Sequence, residues 1–137
     1  MVLLCACHES DNEQILDQLD QVIESKGLYA VRFERRVDSL RRELCTASDD
    51  TMRWRTANRL FDSYITYNID TAARYVALMY DLAEHTGRRD MKFLSTTCDI
   101  SVLIGRNNIE DAYDRIRSLD TAGITKRMRA SYYTQQM

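Results

Sequence analysis

The amino-acid sequence predicts an all-α fold, and three features of its composition and patterning support this prediction. The 137 residues include no proline and only four glycines, so the residues that most often interrupt helices or shape hairpins are nearly absent. Residues with high helix propensity fill the positions between apolar side chains. Apolar side chains also recur at the i, i+3, i+4, i+7 spacing in successive segments. We therefore expect one helical domain over residues 1–137, a length sufficient for one core.

The first half of the chain predicts three helices. A helix over residues 12–26 ends at Gly27, and a strongly amphipathic helix over residues 28–45 stops at the segment TASDD. Asp49 or Asp50 caps the third helix. Its predicted apolar face consists of Met52, Trp54, Ala57, Leu60, Phe61 and Ile65.

The segment NIDTAARYVALMYDLAEH, residues 68–85, is the most apolar predicted helix of the chain. Asp70 or Thr71 caps it, and Gly87 ends it. Its predicted core face consists of Ala72, Val76, Met79, Leu82 and Ala83. A helix that is apolar on most sides belongs at the centre of a domain, so we expect the other helices to surround this one.

The second half of the chain predicts further, shorter helices. One over residues 90–104 ends at Gly105, the next begins after Asn107 or Asn108, and a last one covers residues 124–133. The helix over residues 90–104 is expected to direct Met91, Leu94, Cys98, Val102 and Leu103 into the core. No internal repeat is visible at this level.

Composition and motifs exclude several classes of function. A net charge of -2 disfavours a nucleic-acid partner, and no stretch reaches the apolar length of a membrane anchor. The four cysteines are scattered, and only two histidines accompany them, so neither a metal nor a cofactor is expected. No catalytic motif occurs, and we predict that the protein is not an enzyme. The opening MVLLCAC lacks a basic region, which favours a cytosolic protein over a secreted one.

Three segments resemble sequence motifs of the Bcl-2 family. Leu60-Phe61 followed by ARYVAL at residues 73–78 resembles the first homology motif, with Ala73 in the position of its glycine. FERRVDSLRREL at residues 33–44 is similar to the groove-forming helix, and LIGRNNIEDAYDRI at residues 103–116 resembles the second homology motif. The chain is thereby similar to short viral members of the family, from poxviruses and from iridoviruses such as grouper iridovirus.

The resemblance implies a Bcl-2-like bundle of about seven to eight helices around a central hydrophobic helix. It implies an inhibitor of host apoptosis that binds BH3 helices of pro-apoptotic proteins, Bim first and also Bid, Puma, Bak and Bax, in a hydrophobic groove. Arg74 would pair with the aspartate of the bound helix. The implied groove residues are Phe33, Val37, Leu40, Leu44, Phe61, Ala73, Arg74, Val76, Ala77 and Tyr80.

Two alternatives stay open at this point. Arg74 could instead form an ion pair with Asp70, four residues earlier on the same helix. A Bcl-2-like fold could also serve as a scaffold that self-associates as a homodimer, or that binds innate-immune signalling proteins, with no ligand in the groove. In either case we expect the protein in the host cytoplasm, with mitochondria reached through its partners.

Overall fold

A computed structural model describes residues 9–119 of the chain, with side chains from Gln14 onward. These residues form five α-helices, and no strand occurs among them. The helices are α1 (Glu9–Thr46), α2 (Asp50–Tyr64), α3 (Ile69–Thr86), α4 (Arg89–Gly105) and α5 (Ile109–Ser118). The all-α class is therefore confirmed for this part of the chain, whereas the helix predicted over residues 124–133 lies outside it.

Contacts along the chain define two units, residues 1–38 and residues 39–137. Within the described range, the first unit consists of residues 9–38 of α1, and the last residues of α1 belong to the second unit. α1 runs without interruption through Gly27, so the predicted helix end at this glycine is wrong. An exposed glycine costs only about 1 kcal/mol inside a helix, and residues with good helix propensity flank it on both sides. A side chain at this position would meet no atom within 4 Å.

The second unit is a series of helices in which consecutive helices pack on each other. α2 contacts α3, α3 contacts α4, and α4 contacts α5. The connections between consecutive helices are only two to four residues long. Such short connections make successive helices antiparallel neighbours. The unit is therefore built from helix–turn–helix pairs in chain order.

The ends of these helices follow the capping chemistry of the sequence, except at the start of α3 and at the start of α4, where Arg88 makes no side-chain cap hydrogen bond. Asp49 caps α2 and Asn108 caps α5, each accepting a backbone N–H from three residues further on, and each is one of the two residues predicted for its cap. Gly87 ends α3 in the left-handed conformation at φ 65°, also as predicted. The N-cap of α3 is Asn68 rather than either predicted residue, and its side chain accepts the Thr71 N–H at 3.0 Å.

The buried face of α3 is the predicted one, but α4 is the more enclosed helix. α3 buries Ala72, Val76, Met79, Leu82 and Ala83. α4 buries Met91, Phe93, Ser95, Thr97, Cys98, Ile100 and Val102, while the expected core residues Leu94 and Leu103 are only half-buried. The second buried face of α4 was missed because small polar side chains interrupt its apolar spacing.

Candidate functional site

The structure distributes the ten predicted groove residues over three levels of exposure. Val37, Leu40, Phe61 and Val76 are buried, with at most 5 % of their surface exposed. Phe33, Leu44, Ala73 and Tyr80 are half-buried, whereas Arg74 and Ala77 are exposed on α3. Tyr80 donates a hydrogen bond to Thr96 of α4 at 3.1 Å, and burial raises the pKa of its phenol. Of the predicted set, Arg74 and Ala77 are the members most available to a partner.

Arg74 does not form the intrahelical ion pair that was its alternative assignment. Asp70 pairs instead with Arg106, the C-cap of α4, at 2.6 Å. This pair links the first turn of α3 to the end of α4. Within the part of the chain that the structure describes, Arg74 has no ion-pair partner.

A surface hollow of about 430 Å³ lies between the start of α2 and the end of α3. We call it the α2–α3 hollow, and its lining residues are Arg53, Leu78, Asp81, Leu82, Glu84 and His85. Leu78 and Leu82 supply apolar side chains, and the remaining four supply charge or hydrogen-bonding capacity. None of the ten predicted groove residues lines this hollow.

Most charges around the α2–α3 hollow are held by ion pairs within the protein. Asp50 of α2 contacts Arg53 at 3.4 Å and His85 Nδ1 at 3.5 Å. Glu84 contacts the ammonium of Lys92 on α4. Asp81 is exposed and has no ion-pair partner among residues 14–119. A basic group of another molecule can therefore reach the Asp81 carboxylate without breaking an existing pair.

Three of the residues that line the hollow share a face of α3 with Arg74, which is not itself part of the lining. Arg74, Leu78, Asp81 and His85 follow one another at i, i+4, i+7 and i+11, so they lie on one face of the helix, which we call the α3 strip. The strip carries an unpaired cation and an unpaired carboxylate about two turns apart, on either side of a leucine. Of this strip, only Arg74 was predicted from the sequence as a binding residue, although helical spacing from that residue leads to the other three.

Buried hydrogen bonds hold α2 against α4 on the other side of the second unit. The indole N–H of Trp54 donates to the Ser95 hydroxyl at 3.1 Å, and this hydroxyl donates to the Met91 carbonyl at 2.8 Å. The Cys98 thiol donates to the side-chain oxygen of Asn58 at 3.6 Å. α2 is also fixed to the end of α1, where Glu43 accepts hydrogen bonds from its neighbours on α2. These bonds fix α2 and α4, the two helices that contact α3, to each other.

Cys98 is a structural thiol, because burial, followed by the nearby carboxylates of Asp62 and Asp99, raises its pKa to about 12. Only about one molecule in 10⁴ would carry the thiolate at pH 8. We expect iodoacetamide to modify Cys98 in the folded protein at least about a thousandfold more slowly than the exposed Cys45. Peptide-resolved mass spectrometry measures both rates, and denatured protein is the control in which they should converge. Equal rates in the folded protein would contradict the buried placement.

No metal centre is present in the described range. Among these residues, no three histidine, cysteine or carboxylate side chains are placed so that they could hold a metal ion. In the same range, no helix is both long enough and apolar enough to cross a membrane.

A short repeat overlooked in the sequence marks two helices of this unit. Residues 68–72 read NIDTA and residues 108–112 read NIEDA, 40 positions apart. In both, the asparagine caps a helix, and the alanine four residues later is buried. This similarity of five residues was not recognised in the sequence, where no internal repeat was expected. It was missed because only five positions, one turn of each helix, keep the pattern.

Three positions of α2 and α3 agree with the consensus of one tetratricopeptide (TPR) repeat, whereas Ala57, Asn58 and Val76 stand where that consensus has leucine, glycine and phenylalanine. That consensus places an aromatic residue seven positions after a tryptophan in its first helix, and an alanine in its second helix. Trp54 and Phe61 have this spacing in α2, and Ala72 occupies the buried first turn of α3. The repeat starting with α4 lacks the tryptophan, but it keeps the capped second helix with Ala112.

Comparison with known proteins agrees with this architecture. The sequence model of the family described as the SusR N-terminal TPR domain matches residues 23–137, most of the chain. No curated protein and no solved structure matches the chain. Both the helix pairs of the second unit and the family match describe a helical-repeat protein, and the chain belongs to the family of SusR N-terminal TPR domains.

Proposed function

We propose that this protein is an interaction module that binds a short segment of another protein along the α3 strip and in the α2–α3 hollow. Repeats that stack helix pairs expose extended surfaces, and these surfaces are what such proteins use for binding. The observation that carries the proposal is the unpaired charge of Arg74 and Asp81 on either side of Leu78.

The chemistry of the site defines the kind of segment that fits it. An apolar side chain would cover Leu78 and Leu82, whose burial removes hydrocarbon from water. A basic side chain of the bound segment, on one side of this apolar residue, would meet Asp81. An acidic side chain on the other side of it would meet Arg74. An amphipathic helix presents such groups at matching intervals, because its own side chains recur every three or four residues.

Site-specific photocrosslinking tests the proposal in the cells that produce the protein. A photoreactive amino acid replacing Leu78 should form adducts with another protein, and Asp81→Lys should abolish these adducts by repelling the basic side chain. The matched control is Asp114→Lys on the exposed side of α5, which should leave the adducts unchanged. If position 78 formed no adducts, or if Asp81→Lys left them intact, the α2–α3 hollow would not be the binding site.

The finer partner assignment, a BH3 helix of a pro-apoptotic protein, stays a prediction. So do the viral Bcl-2 relationship, the Bcl-2-like bundle, inhibition of apoptosis and location in the host cytoplasm, since only an all-helical chain of a TPR family is shown. In this proposal Arg74 keeps the role that the Bcl-2 resemblance implies. It pairs with the aspartate of the bound BH3 helix, whose apolar residues lie along the same strip.

Fluorescence anisotropy with labelled BH3 peptides of Bim, Bid, Puma, Bak and Bax tests that assignment separately. Saturable binding that Arg74→Ala weakens, and that the exposed-arginine control Arg55→Ala preserves, would support it. Absence of saturable binding for all five peptides would reject a BH3 partner, while the photocrosslinking result would still decide whether the module binds another protein.

A further inference from the structure

The start of α5 exposes an apolar face. Ile109 and Tyr113, one helical turn apart, are 56 % and 55 % exposed, and Ile116 on the same side is half-buried. We call these three residues the α5 face. α5 packs on α4 by another side, where Arg115 pairs with Asp99 of α4 at 3.3 Å. Contact with α4 therefore leaves the α5 face open, although an apolar stripe of a helix is normally buried against another element.

The corresponding face of α3 shows what covers such residues. α3 and α5 begin 40 positions apart, so Ile69 corresponds to Ile109. The Ile69 side chain packs against Gly105 at the end of α4, where a Cβ on the glycine would lie only 2.8 Å from Ile69 Cδ1. Tyr80, on the same side of α3, donates its hydrogen bond to Thr96 of α4. The following helix therefore covers this side of α3.

Both α3 and α5 contact their preceding helix by the same side. Tyr75 of α3 stacks on Tyr64 of α2, with ring centroids 5.8 Å apart, and 40 positions later Arg115 of α5 pairs with α4. The other side differs, because Val76 of α3 is 3 % exposed whereas its counterpart Ile116 is only half-buried. Among the described residues, α5 therefore has a contact with a preceding helix but none with a following one.

The sequence after α5 supplies a helix of matching length. Residues 124–133, ITKRMRASYY, lie outside the described range, and the sequence predicts a helix there. Ile124, Met128 and Tyr132 recur every four residues, so they share one face of the predicted helix and span about 12 Å, against about 10 Å for the α5 face. Only five residues separate Ser118 from Ile124, and such a short connection makes two helices antiparallel neighbours.

We propose that residues 124–133 form the next helix of the series and pack antiparallel on the α5 face. This arrangement places Met128 beside Tyr113 and the end of the segment beside Ile109. The Arg117 guanidinium lies 4.4 Å from the centroid of the Tyr113 ring on one side, and the thioether of Met128 packs on the other. A segment tethered this closely acts at an effective concentration on the order of millimolar, so any other molecule must compete with it.

Photocrosslinking from position 113 tests this contact in the full chain, with isotopically light and heavy chains mixed. Benzoylphenylalanine in place of Tyr113 should form adducts with residues 124–133 of the same chain. The control position is Asp114, which is exposed about 100° further around α5 and should give far fewer of these adducts. Light–heavy adducts would place a second copy on the α5 face and overturn the proposal. Absence of adducts with residues 124–133, or equal yields from both positions, would also overturn it.

Two matched substitutions test which side of the segment packs. Met128→Glu should lower the yield of adducts from position 113 at least about tenfold, because a carboxylate would replace an apolar side chain in the contact. Lys126→Glu introduces the same group on the opposite side of the predicted helix and should leave the yield within about twofold of wild type. Loss of adducts with both variants, or with neither, would overturn the proposed packing. Adducts from position 78 report on the α2–α3 hollow separately, so failure here leaves the proposed function standing.

Discussion

Replacing Trp54 by alanine should bring the second unit close to unfolding. The indole is 6 % exposed and lies between α2 and α4, so its removal leaves a cavity that rigid helices fill poorly. Replacing a buried tryptophan or phenylalanine by alanine lowers the free energy of unfolding by about 3–5 kcal/mol. The total for a domain is about 5–15 kcal/mol. Urea denaturation followed by far-UV circular dichroism measures the loss.

Two further variants separate packing from hydrogen bonding at this position. Trp54→Phe keeps a ring but removes the N–H that donates to Ser95, and we expect a loss of about 1–2 kcal/mol. Arg55→Ala, the exposed neighbour, should change stability by no more than about 0.5 kcal/mol. A loss below about 1 kcal/mol for Trp54→Ala would show that α2 and α4 do not share this core.

Ala72→Leu should also destabilise the protein strongly, through excess volume instead of a cavity. Ala72 is 0 % exposed in the first turn of α3, so a larger side chain must displace neighbouring groups. Overpacking of a well-filled core costs about 1–3 kcal/mol. Ala77→Leu adds the same atoms on the exposed side of the same helix and should cost less than about 0.5 kcal/mol. Urea denaturation compares the pair, and equal losses would contradict the assigned face.

The matching change in the next helix pair, Ala112→Leu, should act locally. Ala112 is 2 % exposed, but α5 packs chiefly on α4, and repeat proteins are stabilised by neighbour contacts. Hydrogen exchange should therefore rise in residues 109–118 first, and α2 and α3 should keep their protection. Faster exchange throughout residues 50–118 would show instead that the unit unfolds as a whole.

Much of the local structure followed from the sequence, because its causes act over a few residues. The core face of α3 was predicted in full, since apolar spacing directly reports which side of a helix is buried. The stop at Gly87 was also predicted, and the cap of α5 was predicted as Asn107 or Asn108, because these features depend on backbone conformation and one side-chain hydrogen bond. The error at Gly27 arose because glycine as a residue type can either end a helix, as Gly87 does, or be tolerated inside one, as Gly27 is.

The candidate site was predictable only in part. Arg74 was singled out as a cation on an apolar helix, but its surroundings were inferred from resemblance to another helical family. The α2–α3 hollow requires Arg53 of α2 to lie beside the last turns of α3, and that neighbourhood depends on how two separate helices pack. Periodicity within one helix contains no information about which other helix lies next to it.

The sequence by itself determined that the chain is helical, which face of α3 is buried and where several helices begin and end, because propensity, spacing and capping are local. Only the tertiary structure decided that successive helices form pairs, that α4 is more enclosed than α3, and that Asp70 pairs with Arg106 instead of Arg74. The physical reason is that amphipathic helices of similar length bury similar faces in many arrangements, and side-chain contacts between helices select one of them.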